Sequence, residues 1–142
     1  MNLKRSAFGL RVDKMSSVPS VPFLQAQESA TYLQACLAET QVPHPRIAII
    51  CGSGLSGLVS TFHADPQIAI PYASIPHFPV STVLGHQSQL VFGTMGKDRT
   101  GIVAMVGRVH FYEGYDLTQI TLPIRAFALL GIKTLVGIIY RY

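Results

Sequence analysis

The first regular pattern of apolar and polar positions lies between about residues 23 and 40. Its apolar residues recur at three- and four-residue spacing, with glutamines and a glutamate between them. The apolar positions are Ala26, Ala30, Leu33 and Leu37. This spacing follows the turn of an α-helix and predicts an amphipathic helix with one buried face. The Pro- and Ser-rich residues 16–22 before it predict a linker.

Five short apolar runs without a helical period predict strands. They are RIAIIC (46–51), QIAIPY (67–72), SQLVFGTMG (88–96), GIVAMVGRV (101–109) and KTLVGII (133–139). The first and the last have apolar residues at successive positions, which is typical of strands buried on both faces. A short turn with Lys97, Asp98 and Arg99 joins the third run to the fourth and predicts a hairpin.

Helix signals follow the first strand and the fourth. The glycine turn GSGLSG (52–57) precedes the segment LVSTFH, which predicts a helix start, and a strand, a turn and a helix open an α/β unit. Asp116, with Gln119 three residues later, predicts a second helix start with reciprocal caps. This second helix should kink or restart at Pro123 and end at Gly131.

The positive charge is concentrated at one end of the chain. The net charge is +4, and residues 1–14 carry +3 of it, which leaves +1 (4 − 3) for the rest. A nucleic-acid-binding domain would have a basic face on its folded part, so nucleic acid is not an expected partner. The basic residues predict a flexible tail, which is either a targeting segment or a stretch ahead of a true start at Met15. No apolar run reaches the roughly 18 residues that a membrane span needs, so a membrane is not an expected partner either.

The cysteines and three of the histidines give no metal signal. Cys36 and Cys51 are isolated, and they predict core thiols in a reducing compartment and hence a cytoplasmic location. The spacing of His44, His63 and His77 is not that of a metal site, and no acidic cluster accompanies them. The sequence therefore predicts no metal site.

The motif CGSGL at 51–55 is the first candidate for chemistry. Gly52 and Gly54 allow backbone N–H groups to point outward, and the helix expected next would add the positive end of its dipole. Together with the hydroxyl of Ser53, these groups could hold a phosphate. A plain turn is the alternative, and the motif alone favours it, because tight turns between a strand and a helix use glycine for geometry.

The motif GRVHFYEGY at 107–115 is the second candidate. Alternate residues of a strand share a face, which would place Arg108, His110 and Tyr112 together. An arginine fork suits phosphate oxygens, a histidine can donate a hydrogen bond or a proton, and a tyrosine ring suits a sugar. The pattern favours an anion site beside a cyclic group over a strand end with solvated polar residues. His86 in a loop is a third candidate, although a lone loop histidine is usually only exposed.

The motifs CGSGL, FPVSTVLGH, LVFGTMG and GRVHFYEGY follow one another in this chain. In this order they resemble the purine nucleoside phosphorylases of the trimeric, low-molecular-mass class, which belong to the nucleoside phosphorylase superfamily. The resemblance extends from about Phe23 to Val136. It implies a three-layer α/β/α fold with a central mixed sheet. Residues 1–22 would be a tail and linker, and residues 23–142 the N-terminal portion of the domain.

The resemblance also implies an activity. Inorganic phosphate, as the co-substrate, would attack a purine nucleoside of the inosine or guanosine type and release the free base and ribose 1-phosphate, a step of nucleoside salvage. The enzyme would be a pentosyltransferase and a homotrimer, and it would need no metal or other cofactor.

The family's site residues carry over by their place in the motifs. The phosphate contacts would be Ser53, His86, Arg108 and His110, of which the last three would also be catalytic. Tyr112 would contact the ribose. The supporting residues would be Gly52, Gly54 and Glu113.

The resemblance ends after Val136. The family continues into an Asn-Ala-Ala-Gly-Gly loop that also holds phosphate, and further on a Glu and an Asn recognise the purine; none has a counterpart in this sequence. We therefore expect a truncated chain that lacks roughly half of the family's length and contains most of the phosphate site but none of the base site. The alternative to an active enzyme is a catalytically inactive isoform or fragment that binds phosphate or associates with full-length subunits.

A nucleotide-binding α/β module is a third interpretation, and it rests on CGSGL alone. It requires an acidic residue at the end of the second strand to bind a ribose. No Asp or Glu lies between Asp65 and Asp98, so we rank this interpretation last.

Overall fold

The computed structural model describes residues 20–52, 54–82 and 87–137. Its centre is a mixed five-stranded sheet in the order β2-β3-β4-β1-β5. The strands are β1 (Ile47–Cys51), β2 (Ile68–Pro71), β3 (Gln89–Met95), β4 (Thr100–Val106) and β5 (Thr134–Gly137). Each predicted run contains one of these strands, and the expected α/β fold with a mixed sheet is confirmed.

β1 lies inside the sheet. It pairs in parallel with β4 on one side and with β5 on the other, so that Ile47 lies opposite Ile102 and Thr134. β3 and then β2 extend the sheet beyond β4 in antiparallel pairing, and β3 and β4 form the predicted hairpin. Successive residues of a strand point to opposite faces, and Ala48 and Ile49 belong to two different buried apolar clusters. The prediction that β1 is buried on both faces is therefore confirmed.

The first helix, α1 (Val21–Ala38), packs on one face of the sheet. Its buried face includes the four predicted apolar positions, Ala26, Ala30, Leu33 and Leu37. α1 begins at Val21 rather than near residue 23, because Pro22 lacks an N–H and fits the first helical turn, where N–H groups have no partner within the helix. Within the described parts of the chain, no helix is long and apolar enough to cross a membrane.

The second helical segment is divided as its sequence predicts. The Asp116 carboxylate accepts a hydrogen bond from the Gln119 backbone N–H at 2.8 Å, and the Gln119 side chain accepts one from the Asp116 N–H at 3.0 Å. The short helix α2 (Leu117–Ile120) follows this cap, and α3 (Leu122–Leu129) restarts the helix with Pro123 in its first turn. α3 ends before Gly131, which has a φ of +82°. α3 packs with α1 on the same face of the sheet.

The other face of the sheet carries a 3-10 helix, Ser56–Thr61, where an α-helix was predicted. The Ser60 and Thr61 hydroxyls donate to the carbonyls of Gly57 and Leu58, three residues earlier, at 2.7 and 2.6 Å. Such side-chain bonds to nearby carbonyls compete with the α-helical ladder, which explains why the segment stays short. Four apolar residues in or beside this segment pack in the buried cluster that contains Ile49: Leu55, Leu58, Val59 and Phe62.

The prediction of burial is wrong for β5. All four of its residues are exposed, with Leu135 at 47% and Val136 at 40% of their full accessible surface. The physical reason is its position, because β5 forms the outer edge of the described sheet and pairs there with β1 alone. Residues 138 and 139 of the predicted run lie outside the described residues.

Candidate functional site

The candidate site follows β4, whose last residue directly precedes Gly107. Gly107 has a φ of +83°, and a 3-10 helix over Phe111–Glu113 follows soon after. The prediction that Arg108, His110 and Tyr112 share one face of a continuing strand is therefore wrong. A left-handed backbone at Gly107 ends the strand, and the three side chains extend from a turn.

Gly107 lies where two segments of backbone pass very close to each other. A Cβ atom added to Gly107 would lie 2.2 Å from the carbonyl oxygen of Gln87, so only glycine fits. The buried Tyr72 hydroxyl donates a hydrogen bond to the Gly107 carbonyl at 2.5 Å. Burial, with a smaller effect of the nearby Cys51, raises the pKa of Tyr72 far above its ordinary value, so the hydroxyl stays protonated and can donate. The turn before Arg108 is thus fixed from two sides.

His110 and Tyr112 come together within this turn. Their rings stack with centroids 4.9 Å apart and an interplanar angle of 9°. Tyr112 is 76% exposed, so one face of its ring is open to a ligand. The two side chains therefore converge, as the motif indicated, although a turn rather than a strand brings them together.

Arg108 is half-buried, yet its guanidinium has no hydrogen-bond or ion-pair partner among the residues that the structure describes. A guanidinium presents several N–H donors in a planar fork, which matches two oxygens of a phosphate. The free fork leaves Arg108 available to an anion.

Glu113 fixes the backbone of the turn. Its Oε1 atom accepts a hydrogen bond from the His110 backbone N–H at 2.8 Å. Its Oε2 atom accepts from the Thr82 backbone N–H at 3.0 Å and from the Ser81 hydroxyl at 2.9 Å. One carboxylate thus connects the turn after β4 to the segment at residues 80–82.

The same contacts change the acidity of Glu113. Partial desolvation acts to raise its pKa, but the hydrogen bonds from His110, Thr82 and Ser81, with a further electrostatic effect of His110, outweigh that effect. The pKa of Glu113 therefore lies below its ordinary value of 4.5. Near neutral pH the carboxylate is charged and can only accept hydrogen bonds.

The glycine turn after β1 has fewer constraints. Gly54 is exposed with a φ of +81°, and none of the described residues lies within 4 Å of the position that a Cβ atom would take. The Leu55 N–H bonds to the carbonyl of Gly52 at 3.1 Å and closes the turn. Ser53 and His86, two of the predicted phosphate contacts, lie outside the described residues, so their roles stay predictions. The phosphate interpretation of this turn relied partly on the dipole of a following α-helix. A short 3-10 helix follows the turn instead, so this support is missing.

The other histidines join separate segments of the fold. The ring Nε2 atoms pair as follows: His44 with the Leu130 carbonyl at 2.6 Å, His63 with the Gly96 carbonyl at 2.9 Å, and His77 with the Glu28 carboxylate at 2.6 Å. Within the described ranges, no group of three His, Cys, Asp or Glu side chains is arranged to hold a metal ion.

Two tyrosines that support the turn were not assigned from the sequence. Tyr72 contacts Gly107 from 35 residues away, and no local pattern could indicate that pairing. Tyr115 is the last residue of GRVHFYEGY, and its hydroxyl donates to the Val80 carbonyl at 2.7 Å. Its place inside the motif was the available signal.

Proteins of known function match most of this chain in amino-acid sequence. No protein-family model matches it. Purine nucleoside phosphorylase from Rattus norvegicus is 51% identical over 92 residues, which are 65% of this chain and 30% of that protein. Purine nucleoside phosphorylase from Bos taurus is 44% identical over 110 residues, which are 78% of this chain and 35% of that protein.

The fold agrees with these sequence matches. The crystal structure of isoform 2 of purine nucleoside phosphorylase from Schistosoma mansoni matches with a TM-score of 0.68 and 41% identity, over 84% of this chain and 40% of that one. The matched segment covers about a third of the length of these curated relatives. By sequence and by fold, this chain is similar to one part of the purine nucleoside phosphorylases.

Proposed function

We propose that this chain provides the phosphate-binding part of a purine nucleoside phosphorylase site. The observation that carries the proposal is the turn after β4, where a free Arg108 guanidinium precedes the stacked rings of His110 and Tyr112. This turn offers the charge of Arg108 for an anion, a hydrogen-bond donor two residues later at His110, and the exposed aromatic face of Tyr112. Ser53 and His86 complete the proposed phosphate contacts on the basis of the sequence motifs alone.

In the proposed reaction, phosphate attacks the anomeric carbon of a purine nucleoside. The bond from that carbon to the purine breaks, and free base and ribose 1-phosphate result. Arg108 and His110 would hold the phosphate beneath the sugar, where its negative charge stabilises an oxocarbenium-like transition state. Tyr112 would contact the ribose. Because the reactants need no redox change, positioning and electrostatics account for the catalysis proposed here.

The substrates proposed are purine nucleosides of the inosine or guanosine type together with inorganic phosphate. The Schistosoma mansoni structure is a complex with cytosine and ribose 1-phosphate, and the latter is the sugar product of this reaction. A homotrimer is proposed from the resemblance to the low-molecular-mass class. A cytoplasmic location is proposed because Cys36 and Cys51 are both free thiols.

The proposal is tested by measuring the affinity of this chain for inorganic phosphate and then its phosphorolysis of inosine. We expect the Arg108→Ala variant to bind phosphate about tenfold or more weakly, because a charge-assisted hydrogen bond contributes about 1.5–3 kcal/mol. The matched control is Arg125→Ala, which removes an exposed arginine of α3 and should leave phosphate affinity unchanged. Equal affinity of the Arg108→Ala variant and the unmodified chain would contradict the proposal. Hypoxanthine release would then show whether binding extends to turnover.

Association without catalysis is a second candidate function, and β5 favours it. Its exposed Leu135 and Val136 lie on an edge strand, and such edges are templates for pairing with another chain. Co-purification of this chain with a full-length family member would support the second candidate. A chain that stays separate at micromolar concentrations would count against it.

A further inference from the structure

The Tyr115 hydroxyl makes two hydrogen bonds to the backbone of Val80, which lies 35 residues earlier in the chain. It donates to the Val80 carbonyl at 2.7 Å and accepts from the Val80 backbone N–H at 3.3 Å. A tyrosine hydroxyl has one proton and acceptor lone pairs, so both of its roles are used within the protein. The hydroxyl proton therefore serves the protein backbone, and a substrate could accept a hydrogen bond from Tyr115 only by displacing the Val80 carbonyl.

The residues after Val80 continue this contact toward the proposed phosphate site. Ser81 and Thr82 donate to the Glu113 carboxylate at 2.9 and 3.0 Å. The other oxygen of Glu113 accepts from the His110 N–H at 2.8 Å. Hydrogen bonds thus connect the Tyr115 hydroxyl to the backbone of Val80, and others connect Ser81 and Thr82, the next two residues of the chain, through Glu113 to the backbone of His110.

We propose that Tyr115 is a positioning residue that holds the 80–82 segment so that Glu113 can fix His110. The proposal rests on the proposed function, because His110 is there a phosphate contact. Glu113 holds the segment at Ser81 and Thr82, and the tyrosine adds an attachment at Val80. This added attachment further restricts the backbone of the segment, because it limits the conformations open to Val80.

The first experiment compares Tyr115→Phe with Tyr32→Phe. Both variants remove one hydroxyl from a half-buried tyrosine, and Tyr32 lies away from the site on α1. Inorganic phosphate affinity would be measured by titration, with the melting temperature as a check of folding and the amide signal of His110 as a spectroscopic reporter. We expect Tyr115→Phe to bind phosphate roughly threefold to tenfold more weakly and to shift the His110 amide signal, as for loss of one or two hydrogen bonds. Tyr32→Phe should leave both unchanged.

Unchanged phosphate affinity in folded Tyr115→Phe would overturn the proposal, because a purely structural hydroxyl would alter the melting temperature alone. If Tyr115→Phe does not fold, Ser81→Ala tests the next link, since it removes one donor to Glu113. Weaker phosphate binding by that variant would support the proposal, and unaltered binding would overturn it.

Failure of the proposed function can be told apart from failure of this inference. If the unmodified chain binds no phosphate, the proposed function fails, and hydrogen exchange of the His110 amide then decides on Tyr115. Faster exchange in Tyr115→Phe would support its positioning role. Identical exchange would reject that role.

Discussion

Two turns of this protein contain glycines with nearly the same φ angle but very different surroundings. Gly54 after β1 and Gly107 after β4 have φ values of +81° and +83°. No residue that the structure describes comes within 4 Å of a Cβ atom added to the first, whereas the second lies against the Gln87 backbone and accepts a hydrogen bond from Tyr72. The comparison teaches that a left-handed glycine by itself marks a turn, and that its packing decides whether the turn is held in place.

The largest expected effect comes from Gly107→Ala compared with Gly54→Ala. Both variants force alanine into a left-handed backbone, which costs about 1 kcal/mol of folding free energy. At Gly107 the added Cβ would also clash with the Gln87 carbonyl oxygen at 2.2 Å. We expect an additional loss of about 2 kcal/mol or more there, as for overpacked interiors. Urea unfolding of both variants measures the difference, and equal losses would show that the backbone at Gln87 moves away easily.

A smaller effect is expected from Asp116→Ala, which removes the cap that follows the turn after β4. Loss of a helix cap costs about 0.5–2 kcal/mol. The matched control is Ser20→Ala at the start of α1, where the side chain makes no capping hydrogen bond. Urea unfolding should show a loss for Asp116→Ala and almost none for the control. Equal losses would mean that the reciprocal cap of α2 contributes little.

The smallest effect is a pH dependence that depends on Glu113. Its pKa is lowered in the folded state, so the ionised carboxylate stabilises the fold fully above pH 4.5, its ordinary value. That contribution is lost as the pH falls through the lowered pKa. The stability advantage of the unmodified chain over Glu113→Gln should therefore be present at neutral pH and shrink in acid. Glu39→Gln, at the exposed end of α1, controls for removal of one carboxylate. An advantage that stays constant from pH 7 to pH 3 would contradict the role of these hydrogen bonds.

Local patterns predicted the elements that depend on neighbours in the sequence. The buried face of α1 follows from a helical period, and the reciprocal cap at Asp116 and Gln119 follows from a spacing of three residues. The restart at Pro123 follows from its missing N–H. Each of these features depends on residues within one or two helical turns of each other.

The failed predictions depend on distant parts of the chain. β4 ends before Arg108 because Gly107, which lies against the distant backbone of Gln87, has a left-handed conformation, whereas the sequence of the motif alone continues a strand pattern. The exposure of β5 depends on its place at the sheet edge, which its apolar sequence does not reveal. The sequence predicted that His110 and Tyr112 lie together on one face of a strand. The two rings do lie together, but a turn brings them there.

The central place of β1 also determines the order in which the sheet can form. The β3–β4 hairpin closes across a turn of four residues, 96–99, so it can form within microseconds. β1 instead joins β4 and β5 across long separations, with Ile47 opposite Ile102 and Thr134, which are 55 (102 − 47) and 87 (134 − 47) residues away. Closing such long loops costs entropy before any contact repays it, and a high contact order slows folding. The insertion of β1 is therefore the expected rate-limiting step of folding, and β5 joins the described sheet through β1.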